Sequence, residues 1–223
     1  MKVVEEALRI RVAVREHQEW RSNCLNLMCA ENIMSPLARE LMGTDFHTRY
    51  ANLVCWLPYK EFVGNKYMEE VDHLTIVLGK RLFKAEYVET HIPSGALACE
   101  TVILGLASGS DLVLELEPRV GGFYSLRRLR NIEAMVPNLR AGGIPYNLKE
   151  MNIDTDAAVE KIRSEKPKLI MLGGTILLFP QPISEIAEAA KEVGATVSYD
   201  AAHVFGLVAG KQVQDPFGEG ASI

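Results

Sequence analysis

Ala195-Thr-Val-Ser-Tyr-Asp-Ala-Ala-His-Val-Phe-Gly-Leu-Val-Ala-Gly210 decides how the rest of the chain is read. Thr196 to Tyr199 read as a short buried strand. Asp200 follows at once, His203 comes three residues later, and a turn of small residues closes the stretch. An acid at the carboxyl end of a parallel strand faces the crevice where open α/β sheets bind ligands. Asp200 therefore has two readings, a ligand-holding group or a turn cap. His203 likewise reads as a functional group or as a satisfied core histidine.

Working outward, the pattern alternates. Strands are expected at Leu112–Leu116, weakly near Gly143–Tyr146, at Lys168–Leu172 and at Thr196–Tyr199. Helices are expected at Leu97–Ala107, Ser125–Val136, Asp154–Ser164 and Ile183–Val193. Continuous apolar strands alternating with helices predict an α/β three-layer sandwich around a mostly parallel sheet. Before it, apolar spacing predicts a helix over Val3–Trp20 with Val4, Leu8 and Val12 on one face. A short helix over Leu37–Met42 would follow, with Ser35 as N-cap and Pro36 at its first position. A third spans Tyr67–Phe83 and lines up Val71, Leu74, Leu78 and Leu82. Thr48–Phe62 is irregular and aromatic, as functional loops often are. Residues 1–85 are read as an N-terminal helical arm and 86–223 as the sheet domain.

The chain has 223 residues, 48% of them apolar, and a formal net charge of -5. That size supports a substantial core. The negative charge argues against a nucleic-acid partner, which calls for a basic stripe. The Arg127-Arg128-Leu-Arg130 cluster reads as a solvated helix face. Cys24, Cys29, Cys55 and Cys99 lack metal-ligand spacing, so no metal is expected, and they read as buried free thiols of a reducing compartment. No secretory signal opens the chain. Its longest apolar run, Leu169–Pro180, is interrupted by Gly173-Gly174 and too short to span a bilayer. A soluble cytoplasmic protein is the expectation.

Three further motifs share the location of Asp200, at strand ends or the start of the next helix. Ser94-Gly95-Ala96 opens a helix, where free N–H groups and a hydroxyl receive a phosphate; an ordinary N-cap has the same residues. Gly121-Gly122-Phe123 could lay a ring over a flat cofactor or fill core space with Phe123. Gly173-Gly174-Thr175 could offer the Thr175 hydroxyl to a ligand or simply end a strand. Phosphate loop, stacking loop, hydroxyl and acid, in that order, suit pyridoxal phosphate. Its ring accepts electrons while the ring nitrogen stays protonated, and a carboxylate beside that nitrogen keeps it so.

Taken together, Leu27-Met-Cys-Ala-Glu31-Asn32-Ile-Met-Ser35-Pro36, Arg49-Tyr50-Ala51, Pro93-Ser94-Gly95-Ala96, Gly121-Gly122 and Asp200-Ala-Ala-His203-Val-Phe-Gly-Leu-Val-Ala-Gly210 resemble serine hydroxymethyltransferase. That family has the aspartate-aminotransferase-like fold of pyridoxal-phosphate enzymes. The resemblance implies that Ser94, Gly95 and Ala96 hold the cofactor phosphate. It implies that Asp200 pairs with the ring nitrogen and that His203 lies near the phenolic oxygen. Ser35 would meet the substrate carboxylate, and Tyr50 would reach a partner subunit's site across a homodimer. The implied reaction cleaves the Cα–Cβ bond of a β-hydroxy amino acid, with tetrahydrofolate as one-carbon acceptor.

Several positions depart from the family. Where its members read Tyr-Ala-Glu-Gly-Tyr-Pro, this chain reads Tyr50-Ala51-Asn52-Leu53-Val54. An amide at Asn52 cannot carry a proton near neutral pH, which counts against the folate reaction. Glu61 is the nearest acidic substitute. Phe62 stands for a tyrosine, and Phe123 for a stacking histidine. The sequence stops at Ile223, before the family's Thr-Thr-His-Lys segment with its Schiff-base lysine and before the C-terminal small domain. Lys211 is a poor substitute. The chain alone is therefore expected to be inactive. A divergent aldolase or transaldolase, or a catalytically silent scaffold, is the alternative; a generic nucleotide-binding domain ranks lower because no Walker or Gly-x-Gly-x-x-Gly loop is present.

Overall fold

The computed structural model describes residues 2–27, 31–51, 62–123 and 136–223. The helix expected over Ser125–Val136, apart from its last residue, lies outside them, as do Asn52, Glu61, Cys29, Cys55 and the Arg127–Arg130 cluster. The chain forms two compact units, Met1–Pro36 and Leu37–Ile223.

In the first unit, α1 (Lys2–Ser22) covers the expected helix. The Ser22 hydroxyl and the Asn23 amide both donate to Glu19 O, at 2.7 and 2.9 Å, and so satisfy a carbonyl of the last turn. Val4, Leu8 and Val12 are exposed rather than packed. The next helix, α2 (Pro36–Met42), begins at its proline, in the first turn, where a missing N–H removes no helical bond.

In the second unit, α3 (Lys66–Phe83) and α4 (Gly95–Leu106) precede the sheet. Four strands follow: β1 (Leu112–Glu115), β2 (Arg140–Gly143), β5 (Leu169–Gly173) and β6 (Thr196–Asp200). They run parallel in the order β2-β1-β5-β6. Helices α5 (Thr155–Glu165) and α6 (Ile183–Val193) are the crossovers flanking β5. Parallel neighbours need such long connections, and covering both faces of the sheet follows from them.

Side chains alternate across a strand. Leu112, Leu114, Ile170, Leu172, Val197 and Tyr199 pack with Ile162 of α5 and Ile183 and Ile186 of α6. Val113, Leu169 and Met171 pack on the other face with Cys99 and Ile103 of α4. The result is the expected α/β sandwich, with one apolar cluster on each side of the sheet. Each fully buried Leu or Ile contributes about 1.5–3 kcal/mol.

Three details differ from expectation. The weak strand expected at Gly143–Tyr146 lies earlier, at Arg140–Gly143. Ile144 N–H extends the ladder by donating to Glu115 O at 2.9 Å, but Pro145 has no N–H to continue it. Tyr146–Asn147 (β3) then pairs antiparallel with Asn152–Ile153 (β4). The small-residue turn after His203 contains a five-residue helix, α7 (Phe205–Ala209). The apolar face of α3 is open to solvent, with Leu78 61% exposed. It borders a groove of about 860 Å³ lined by Leu78, Leu82, Phe83, Phe205, Val208 and Phe217.

Buried amides tie the irregular segment after α7 to the sheet. Gln181 Oε1 accepts Gly173 N–H at 2.7 Å. Gln214 accepts from Gln181 N–H at 2.9 Å and donates to Gln181 O at 2.8 Å. The Tyr199 hydroxyl is 3.3 Å from Gln214 Oε1. Ser222 N–H donates to Val197 O and Tyr199 N–H donates to Ile223 O, both at 2.8 Å, along the outer edge of β6. Among the described residues no helix is long and apolar enough to cross a membrane.

Ile103 has no exposed surface, so Ile103→Ala is expected to lower stability by about 2–5 kcal/mol. Leu78→Ala, on the open face of α3, should change it by about 0.5 kcal/mol or less. Urea unfolding followed by far-ultraviolet circular dichroism checks both.

Candidate active site

Strand periodicity explains where Asp200 points. Val197 and Tyr199 turn toward α5 and α6, so Ser198 and Asp200 turn toward α4. On α4, Cys99 and Ile103 are four residues apart and share the buried face. The Cys99 thiol donates to Asp200 Oδ2 at 3.5 Å, and Ala202 N–H donates to Asp200 Oδ1 at 3.0 Å. Gly95 lies one turn before Cys99. A Cβ there would stand 3.4 Å from the Ala202 methyl, so the start of α4 touches the turn that follows Asp200.

Ser94 is the N-cap of α4, with extended backbone and an Oγ that accepts Leu97 N–H at 3.2 Å. The first helical bond runs from Ala98 N–H to Ser94 O. Gly95 and Ala96 therefore carry N–H groups outside the helix's own ladder, at an exposed and electropositive terminus. This cradle can take an anion. Ser94 acts as a cap here, and its hydroxyl remains on the same rim.

A small cavity opens between the strand ends. Cys99, Glu115, Phe123, Gly173, Gly174 and Asp200 line it. Gly173 has φ +82°, and a Cβ at that position would lie 2.1 Å from Asp200 O. Only glycine tolerates both that backbone angle and that approach. Thr175 and Ile176 N–H both donate to Gly121 O, at 2.8 and 3.0 Å. The glycines at these strand ends thus allow backbone to pass backbone, a purpose the sequence reading did not assign them. His203 lies in the turn closed by Val204 N–H to Ala201 O at 2.9 Å. Its Nδ1 is buried and has no hydrogen-bond partner among the described residues.

Ser94, Gly95, Ala96, Phe123, Thr175, Asp200 and His203 consequently gather at one rim of the sheet. Ser35 lies in the first unit and is exposed. Tyr50 is exposed and its ring lies 5.3 Å from that of Phe62, outside the cavity lining. Lys211 is exposed and lines the apolar groove instead. Among the described residues no cluster of three or more His, Cys, Asp or Glu could hold a metal ion.

Two site residues escaped the sequence reading, Cys99 and Glu115. Both carried a signal. Cys99 follows Gly95 by four residues on a helix, and Glu115 interrupts the apolar run Leu112–Leu116 at its carboxyl end. Burial pushes the Cys99 thiol up to about 12, with the Asp200 and Glu115 carboxylates adding to it. Burial, then the Glu219 and Asp200 charges, push the Tyr199 phenol up to about 12 as well. The thiol and the phenol beside this carboxylate therefore stay neutral.

Both groups keep their protons longer in the folded chain than at their ordinary values of 9.0 and 10.0. Their contribution to stability is complete below pH 9 and is lost as pH rises toward 12. Urea midpoints should therefore fall across that alkaline window, and Cys99→Ala combined with Tyr199→Phe should flatten the slope. Gly173→Ala should destabilise the fold by about 2 kcal/mol or more, through a strained φ and a backbone clash.

Residues 3–222 match the family model for serine hydroxymethyltransferase. A serine hydroxymethyltransferase of Methanosphaera stadtmanae is 40% identical over 224 residues, which cover 100% of this chain and 52% of the relative. One of Methanocaldococcus jannaschii is 43% identical over 211 residues, 94% of this chain and 48% of the relative. One of Korarchaeum cryptofilum is 36% identical over 231 residues, 100% and 53% respectively. The chain spans about half the length of the curated relatives it matches.

Proposed function

The chain belongs to the serine hydroxymethyltransferase family, and on that premise we propose that it is the cofactor-holding part of a pyridoxal-phosphate-dependent hydroxymethyltransferase acting on serine and glycine. The observation that carries this reading is the buried Nδ1 of His203, three residues after Asp200 at the same strand end, which has no hydrogen-bond partner among the described residues. A buried polar atom without a partner is costly, and the phenolic oxygen of the cofactor would supply the missing partner. When bound, pyridoxal phosphate supplies an electron sink for the bond pair released at Cα.

The chain's own residues have distinct tasks. Ser94 with the Gly95 and Ala96 N–H groups binds the phosphate. Asp200 faces the ring nitrogen and accepts a charge-assisted hydrogen bond from it. Phe123 stacks on the ring face, and the Thr175 hydroxyl reaches a ring substituent. His203 orients the phenolic oxygen. Ser35, Tyr50 and Asn52 face the substrate, Tyr50 from the partner subunit of a homodimer. Residues 1–85 are the arm that forms that dimer, and residues 86–223 the cofactor domain. The open apolar faces of α1 and α3 support this division. A cytoplasmic location and tetrahydrofolate as acceptor complete the reading. With Asn52 in place of a carboxylic acid, proton transfer at that point falls to another group.

Asp200→Ala is expected to weaken pyridoxal phosphate binding by roughly ten- to a hundredfold, the worth of a hydrogen bond to a charged group. An absorbance titration measures it, and unchanged affinity rules the site assignment out. For the reaction, the protein carrying this chain should release glycine from L-serine when tetrahydrofolate is supplied. If neither serine nor threonine yields glycine, with or without folate, the bond-cleavage reading fails.

A further inference from the structure

Each oxygen of Asp200 meets a donor from the chain. Oδ1 is held by its own turn through Ala202 N–H at 3.0 Å. Oδ2 is held from another layer, by the Cys99 thiol at 3.5 Å. Cys99 is 101 residues away in sequence and 7% exposed. It sits on the stripe of α4 that begins at Gly95, one helical turn, about 5.4 Å, from the anion cradle. The same helix therefore presents N–H groups at one end of the site and a thiol at the other.

We propose that Cys99 is the positioning residue of Asp200, its S–H fixing the plane of the carboxylate so that Asp200 meets the ring nitrogen of a cofactor whose phosphate rests on Ser94 to Ala96. This rests on the cofactor reading above. A thiol is a weak donor, so it orients the carboxylate without neutralising it. Burial and the Asp200 and Glu115 charges keep the thiol protonated, so Cys99 remains a donor and is a poor nucleophile. A cysteine that merely filled core space would tolerate alanine better than serine, because serine brings a hydroxyl into an apolar site. A positioning cysteine gives the opposite order.

The test uses the holoenzyme and pyridoxal phosphate as probe. Cys99→Ala is expected to weaken cofactor binding about tenfold and to lower the pH at which the absorption of the protonated ring is lost. Cys99→Ser should restore both to within about threefold. In an Asp200→Asn background, Cys99→Ala should add nothing, as a double-mutant cycle requires of a residue acting through another. A second arm needs no cofactor. Iodoacetamide at pH 9, read by peptide mass, should alkylate Cys99 several-fold faster in Asp200→Asn than in wild type, because removing the neighbouring charge eases thiolate formation. Cys24 serves as the reference thiol in the same chain. Unchanged affinity and pH profile in Cys99→Ala, or unchanged alkylation in Asp200→Asn, overturns the positioning role while leaving the cofactor reading intact. No saturable binding by the wild type overturns the cofactor reading, and this role with it.

Discussion

Leu169 to Gly173 lie beside Thr196 to Asp200 in parallel register, and that pairing determines where a carboxylate ends up. Strand alternation sends Val197 and Tyr199 into one apolar cluster, which leaves Asp200 no choice but the opposite face. There it meets the first turns of α4. A slip of one residue would bury the acid against α5 and α6 and turn Tyr199 toward α4. The packing of two apolar side chains thus fixes the direction of a charged one, and the glycine opposite Asp200 gives its backbone room.

The same register links two kinds of chemistry. At one end of α4, N–H groups face outward and favour a negative charge. One turn on, the helix meets a carboxylate that favours a positive one. A ligand with an anionic tail and a cationic ring matches both ends of this short span. The neighbouring thiol and phenol are neutral, so neither of them cancels the carboxylate's charge.

Much of this architecture was legible in the residues, and the reasons are specific. Leu112–Leu116, Lys168–Leu172 and Thr196–Tyr199 are short, mostly apolar or uncharged stretches because their strands are buried on both faces. Ile183–Val193 matches its helix residue for residue. The hairpin at Tyr146–Ile153 has arms of two residues, too short for any period to register. The stretch that forms α7 has five residues with Gly206 among them, too short for a helical period to register. Asp200 and Ser94 stood out because they break apolar or helical patterns at strand and helix ends. Glu115 breaks its run in the same way, but its part in the site, like that of Cys99, depends on which layer the side chain faces. That property emerges only once the sheet is assembled.

The paired amides of Gln181 and Gln214 make a loop behave like part of the scaffold. Residues 212–221 look dispensable on paper, being irregular and mostly exposed at their edges. Yet Gln214 spends its side chain on Gln181, Tyr199 and Glu219, and Gln181 in turn holds Gly173. A tag, a fluorophore or an inserted domain placed there would tug directly on the strand next to the carboxylate. The turn at Leu148–Met151, whose side chains stand in solvent, is the better attachment point for anyone wishing to label this molecule.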